Sequence, residues 1–149
     1  MATGPQIPIA ATDLCFGCGQ KNPIGLKLRF EWDGKTVKGE FTPTELHQGW
    51  RDTIHGGILT TLMDEAMGYA TYFENIPAVT ATIEVRLRRP VLIGQRLLIT
   101  ASVTKRARRL TETEAKLTLV DGTVVAEAKA TQFIGSSFSD ERSKPNNAQ

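Results

Sequence analysis

The sequence predicts a single α+β domain in which one long central helix is wrapped by a curved antiparallel sheet, in the order β-β-α-β-β-β-β. Three observations predict it. The chain has 149 residues, 40% hydrophobic and 23% charged, which suits a folded domain with room for one core and not for two. Only one segment, Gly56 to Phe73, carries apolar residues at helical spacing. The other ordered stretches alternate apolar with polar residues and end in Gly, Pro or Asp-Gly turns.

Residues 1–13 hold Pro5 and Pro8 and are expected to be a flexible tail. Residues 135–149 are rich in Ser, Asn and charge and are expected to be disordered, which leaves residues 14–134 as the folding unit. Leu26, Leu28, Phe30 and Trp32 alternate with Lys27, Arg29 and Glu31. Asp33-Gly34 then supplies a two-residue turn into Val37, Gly39 and Phe41, which reads as a hairpin. After a loop with Pro43, His47, Gly49 and Trp50, the helix shows Leu59, Leu62, Met63, Ala66, Met67, Ala70 and Phe73 on its apolar positions. So wide an apolar surface needs wrapping, and a long curved sheet supplies it. Val79, Ala81, Ile83, Val85 and Leu87 alternate with Thr80, Thr82, Glu84, Arg86 and Arg88 until Pro90 closes the strand. Leu97 to Val103, Leu110 to Val120 and Val124 to Ala130 complete the sheet, the last two joined at Asp121-Gly122.

A net charge of +2 is too mild to mark a nucleic-acid binder, and the basic cluster lacks interleaved aromatic residues for base stacking. The longest apolar stretch, Ile54 to Ala70, is broken by Asp64 and Glu65, short of the roughly 20 apolar residues a membrane-spanning helix needs. The N-terminus lacks a basic region followed by an apolar run. The expectation is a reducing, cytoplasmic setting with neither nucleic acid nor membrane as partner.

The chemistry concentrates in Ile54-His55-Gly56-Gly57 and the helix that follows. Paired glycines at a helix start allow close approach to the backbone, and the first-turn N–H groups are unpaired donors at the positive end of the dipole. They suit an oxyanion, although tight chain geometry alone also explains two glycines. Asp64 sits mid-helix among the small residues Thr60, Thr61, Gly68 and Thr71, where a carboxylate must be solvated, hydrogen-bonded or used. Glu65 points about 100° away and competes for the acidic role. Gly56 and Asp64 are eight residues apart, roughly 12 Å along a helix, too far to share one reacting carbonyl. A symmetric homodimer, or a homotetramer built from it, would bring Gly of one subunit to Asp of the other. Cys15 and Cys18 are the only cysteines and have C-x-x-C spacing, but no second pair exists and His47 and His55 are the only histidines. A closed four-ligand metal site is therefore not expected, and no metal or cofactor is invoked.

Cys15-Phe16-Gly17-Cys18-Gly19, Asn22-Pro23-Ile24-Gly25-Leu26, His47-Gln48-Gly49-Trp50, His55-Gly56-Gly57, Asp64-Glu65-Ala66 and Arg88-Arg89-Pro90 together resemble the hotdog-fold acyl-CoA thioesterases, in the branch of the phenylacetic-acid-pathway (PaaI-like) enzymes. The resemblance covers about Cys15 to Ile134. It implies hydrolysis of a coenzyme A thioester to a carboxylic acid and free coenzyme A. It places the thioester oxygen at the N–H of Gly56 or Gly57, makes Asp64 general base or nucleophile, and lets His55 orient loop or substrate. It sets Thr80 beside the attacking water, a position an ordinary exposed strand threonine fits equally. Coenzyme A is phosphate-rich, so Arg88, Arg89, Lys105, Arg106, Arg108 and Arg109 are its candidate partners. Gly49 stands where some relatives have Asn, Asp52 where the loop usually has Gly, and Arg108 where a Gly-Arg pair is usual. The rival reading is a hotdog domain that binds acyl-CoA as a sensor or scaffold without turning it over.

Overall fold

The computed structural model describes residues 13–135. The expected tails, beyond Asp13 and Gly135, lie outside the described residues. The elements are β1 (Glu31–Trp32), β2 (Val37–Phe41), a short 3-10 turn (Glu45–His47), α1 (Gly56–Phe73), β3 (Ala78–Leu87), β4 (Leu97–Arg106), β5 (Leu110–Leu119) and β6 (Val124–Ile134). All pairings are antiparallel, in one six-stranded sheet ordered β1-β2-β4-β5-β6-β3. The predicted element order and the hotdog architecture are both present.

Sheet and helix meet as the alternation requires. Leu62, Met63, Ala66 and Met67 of α1 are 0% exposed, and they pack with Leu97, Ile99, Leu117 and Val125 from the inner face of the sheet. Charged residues such as Glu112, Glu114 and Lys129 occupy the outer face. The helix starts at Gly56 because His55 caps it, its Nδ1 accepting the Gly57 N–H at 2.8 Å. No helix among the described residues is long and apolar enough to cross a membrane.

Three local expectations are corrected. The first strand does not run from Leu26: Lys27 has φ 54°, and the Leu26 and Leu28 amides donate to Phe16 and Gly17 carbonyls. The backbone groups that would extend β1 are thus spent on the N-terminal loop. The hairpin turn is four residues long, Asp33 to Thr36, because the Asp33 carboxylate accepts the Lys35 and Thr36 amides. The Asp121-Gly122 turn likewise spans Val120 to Thr123.

The alternation of β3 is also broken. Thr80 pairs with Gln132, but Thr82 pairs with Thr131, so Ala81 is an extra residue in a β-bulge. One extra residue inverts the phase. Thr80 therefore shares the inner side with Ile83, Val85 and Leu87, whereas strict alternation would have turned it outward.

Candidate active site

The bulge brings Thr80 to the helix. Its hydroxyl donates to Asp64 Oδ1 at 3.1 Å, joining the middle of α1 to the start of β3. Asp64 is half-buried, its Oδ2 has no partner among the described residues, and open space adjoins Gly68 one turn further on. The two acids are separated. Glu65 turns to the N-terminal loop, where its Oε1 accepts from Cys15 Sγ at 3.0 Å.

The other half of the predicted site lies at the helix start. Of the two glycine amides, that of Gly57 is taken by His55 Nδ1, while the Gly56 N–H donates to nothing among the described residues. Gly56 lies against the far end of β3: a Cβ there would come within 2.9 Å of Leu87 Cδ1. Helix and strand thus run antiparallel, with Gly56 by Leu87 and Asp64 by Thr80. The Gly49 backbone is packed so closely on His55 that a Cβ would meet His55 Cα at 3.0 Å. Asp52, where the resemblance expects glycine, has φ 63°, a conformation Asp tolerates better than most residues. The His55 amide is fixed by the His47 carbonyl at 2.9 Å. Burial holds the His47 imidazole below its ordinary range.

The six predicted basic residues do not form one patch within the chain. Arg88 and Arg89 donate their amides to the Val125 carbonyl at the start of β6, whereas Lys105, Arg106, Arg108 and Arg109 surround the β4–β5 hairpin beside its end, where Ile134 donates to Arg109. From Val125 to Phe133 the strand covers roughly 26 Å. The Arg88 guanidinium is held by Glu127 Oε2 at 2.8 and 2.9 Å, which draws the Glu127 carboxyl below the usual range. Arg89 and the four hairpin cations have no salt-bridge partner among the described residues. The larger side chains of α1 divide similarly. Leu62, Met63 and Met67 are consumed by the core, leaving the partly exposed Tyr69, Tyr72 and Phe73, which pack on one another, Tyr69 also on Phe30 and Phe73 on Trp32.

Two groupings escaped the sequence. Gln132 is buried and donates to Thr113 Oγ1 at 2.6 Å, while Thr111 donates to the Lys105 carbonyl; these polar side chains lie in the apolar phase of β5 and β6, the signal that could have found them. The second is Cys15, Cys18 and Glu65, whose ligand atoms lie within 4.8 Å of one another. Burial pushes the Cys18 thiol up to about 12, reinforced by the Glu65 charge and opposed by Tyr69. The Tyr69 hydroxyl is raised by burial and by Cys18. No spacing rule links a loop cysteine to a helix acid 50 residues away.

Comparison with known proteins shows the family and the fold. The family model described as Thioesterase superfamily matches residues 52–126. Human acyl-coenzyme A thioesterase 13 is 28% identical over 99 residues, 64% of this chain and 71% of that protein. Across the curated relatives it matches, the chain spans 62% of the length of one and 71% of others. The zebrafish thioesterase superfamily member 2 structure superposes with a TM-score of 0.70 at 25% identity, covering 84% of this chain and 93% of that one. The Escherichia coli PaaI structure, from the phenylacetic acid degradation operon, gives 0.69 at 22% identity over 72% and 83%.

Proposed function

Because the chain belongs to the thioesterase superfamily, we propose that it hydrolyses acyl-coenzyme A thioesters at a site shared between two copies of the chain. One observation carries the reading: Asp64 is held by Thr80 on a strand whose outer edge is unpaired among the described residues. That strand, β3, is ten residues long and exposes Ile83 (37%) and Leu87 (52%). An edge strand of this length, its outer backbone groups unpaired among the described residues, invites a further strand. Pairing β3 with its two-fold mate, antiparallel, sets Asp64 and Thr80 of one subunit opposite Leu87 and Gly56 of the partner subunit. It also brings the hairpin cations of one chain toward Arg89 of the partner subunit, uniting the two basic groups around the coenzyme A phosphates.

At such a site the free Gly56 N–H donates to the developing oxyanion, reinforced by the helix dipole. Thr80 donates its proton to Asp64 Oδ1, so its lone pairs accept one O–H of a water while Asp64 Oδ2 takes the other. Water adds to the thioester carbonyl as Asp64 removes that proton. Collapse then breaks the C–S bond, and the coenzyme A thiolate leaves, taking up the proton held by Asp64, which returns to its carboxylate form. His55 is a positioning residue, holding the Gly57 amide so that the helix start faces the carbonyl. No metal or redox partner enters these steps, and the reading suits a cytoplasmic enzyme.

Subunit mixing tests the shared site. Gly56→Pro and Asp64→Asn chains, each inactive alone, are mixed, dissociated and reassociated. A shared site regenerates about a quarter of wild-type activity, since half the dimers are mixed and each has one intact site. Activity that stays at background while mixed dimers form excludes the shared site.

A further inference from the structure

The N-terminal loop carries a group of side chains that the thioesterase reading leaves unused. Cys15 Sγ, Cys18 Sγ and a Glu65 carboxylate oxygen converge within 4.8 Å of one another. Cys18 is buried and the other two are half-buried. The backbone is shaped around them. The Cys18 N–H donates to Cys15 Sγ at 3.5 Å, and the turn closes with Gly19 N–H to the Cys15 carbonyl at 2.8 Å. A Cβ at Gly19 would strike backbone atoms of Asp13 and Cys15 at 2.4–2.6 Å, and a Cβ at Gly17 would strike the Glu65 carboxylate group at 2.5–2.7 Å. The first glycine permits the tight C-x-x-C-G turn. The second leaves the space through which Glu65 enters it.

We propose that Cys15, Cys18 and Glu65 form a zinc site that ties the N-terminal loop to α1. Two thiols and one carboxylate are a donor set for a borderline-soft divalent cation, and an N–H directed at sulfur stabilises a thiolate. Tetrahedral zinc needs ligand atoms about 3.5–3.8 Å apart, so side-chain movements of about 1 Å suffice. On binding, the two thiol protons pass to solvent and the Cys15–Glu65 hydrogen bond is replaced by two bonds to the metal. Three protein ligands leave the fourth position to solvent. The sequence alone argued against a closed site, because its third ligand comes from the helix and is neither Cys nor His. The site is structural: it secures the residue next to Asp64 without touching the reacting groups, and it stands whether or not the protein is a thioesterase.

The test uses the full chain, reduced and stripped with a chelator, then titrated with Zn²⁺ against a chromophoric competitor and with Co²⁺ as a spectroscopic probe. One equivalent of Zn²⁺ per chain is expected. Co²⁺ should give a thiolate charge-transfer band with intense tetrahedral d–d bands, and the melting temperature should rise with free zinc. Cys15→Ser and Cys18→Ser should abolish the charge-transfer band or halve it, and Glu65→Gln should weaken zinc binding at least about tenfold. The wild-type spectrum decides the matter even if a cysteine variant fails to fold. Binding far below one equivalent by the fully reduced chain, or a Co²⁺ spectrum without thiolate bands, would overturn the proposal.

Discussion

Replacing Gly56 by proline removes a single N–H and almost nothing else. Gly56 is the first residue of α1, where proline is favoured because that N–H has no partner inside the helix. The residue before it, His55, already has φ −64° and ψ 132°, which a following proline requires. The Gly56 amide donates to nothing among the described residues, so no folding bond is lost. The added Cβ presses on Leu87 Cδ1 at 2.9 Å, a flexible side-chain end, and Gly56→Ala carries the same Cβ with the N–H intact. If the N–H holds the thioester oxyanion, Gly56→Pro should lower kcat about 100- to 1,000-fold, or ~2.7–4 kcal/mol. Gly56→Ala should lose less than about tenfold, because a contact with a side-chain end costs only ~1 kcal/mol. Melting temperatures of both should stay within about 3 °C of wild type. The assay is release of free coenzyme A thiol from acyl-CoA, with thermal unfolding of the same samples. Equal losses in the two variants would refute the reasoning, since the damage would then follow the Cβ and not the donor.

Thr80→Val keeps the β-branched shape and deletes the hydroxyl that holds Asp64. A hydrogen bond to a charged group is worth ~1.5–3 kcal/mol, and exposure of Thr80 puts this one at the low end, so kcat should fall about tenfold with KM nearly unchanged and Thr80→Ser restoring it; equal kcat in Val and wild type removes Thr80 from the site. His47 makes stability pH-dependent: burial depresses its pKa from 6.5, so the unfolded chain binds the proton more readily, and stability falls as pH drops below 6.5 toward the folded-state value. Protonation of Nδ1 also removes the acceptor for the Thr44 amide at 2.9 Å. Denaturant unfolding at pH 7.5 and 5.5 should show that loss in wild type and a smaller one in His47→Gln; identical losses would assign it to other groups.

The helix was legible to the residue, because His55, Gly56 and the spacing from Leu59 to Ala70 are local signals that packing reinforces. The element order and the places of the turns followed from alternation, but the order of strands in the sheet and the turn length did not: the β2–β4 and β3–β6 pairings are long-range, and Asp33 lengthens its hairpin through a side-chain bond that composition does not show. Thr80 was found by resemblance and placed by the bulge at Ala81. A bulge is decided by the neighbouring strand β6, and nothing in the β3 sequence requires one. The division between Asp64 and Glu65 was visible as a 100° turn of a helix, but which face met the sheet and which met the cysteine loop depends on contacts fifty residues apart. The basic residues were legible as candidates on two successive strands, but not their separation, since antiparallel pairing carries Arg88 and Arg89 to one end of β6 and Lys105 to Arg109 to the other.

The central claim is that Asp64 drives hydrolysis of an acyl-CoA thioester. It is tested most directly by thiol release from short, medium, long and aryl acyl-CoAs, with wild type and Asp64→Asn measured side by side together with ligand affinity. Wild type should turn over at least one member, and Asp64→Asn should lose that turnover at undiminished affinity. Binding without turnover in wild type, or unchanged turnover in Asp64→Asn, would contradict the claim, the first result pointing to an acyl-CoA sensor.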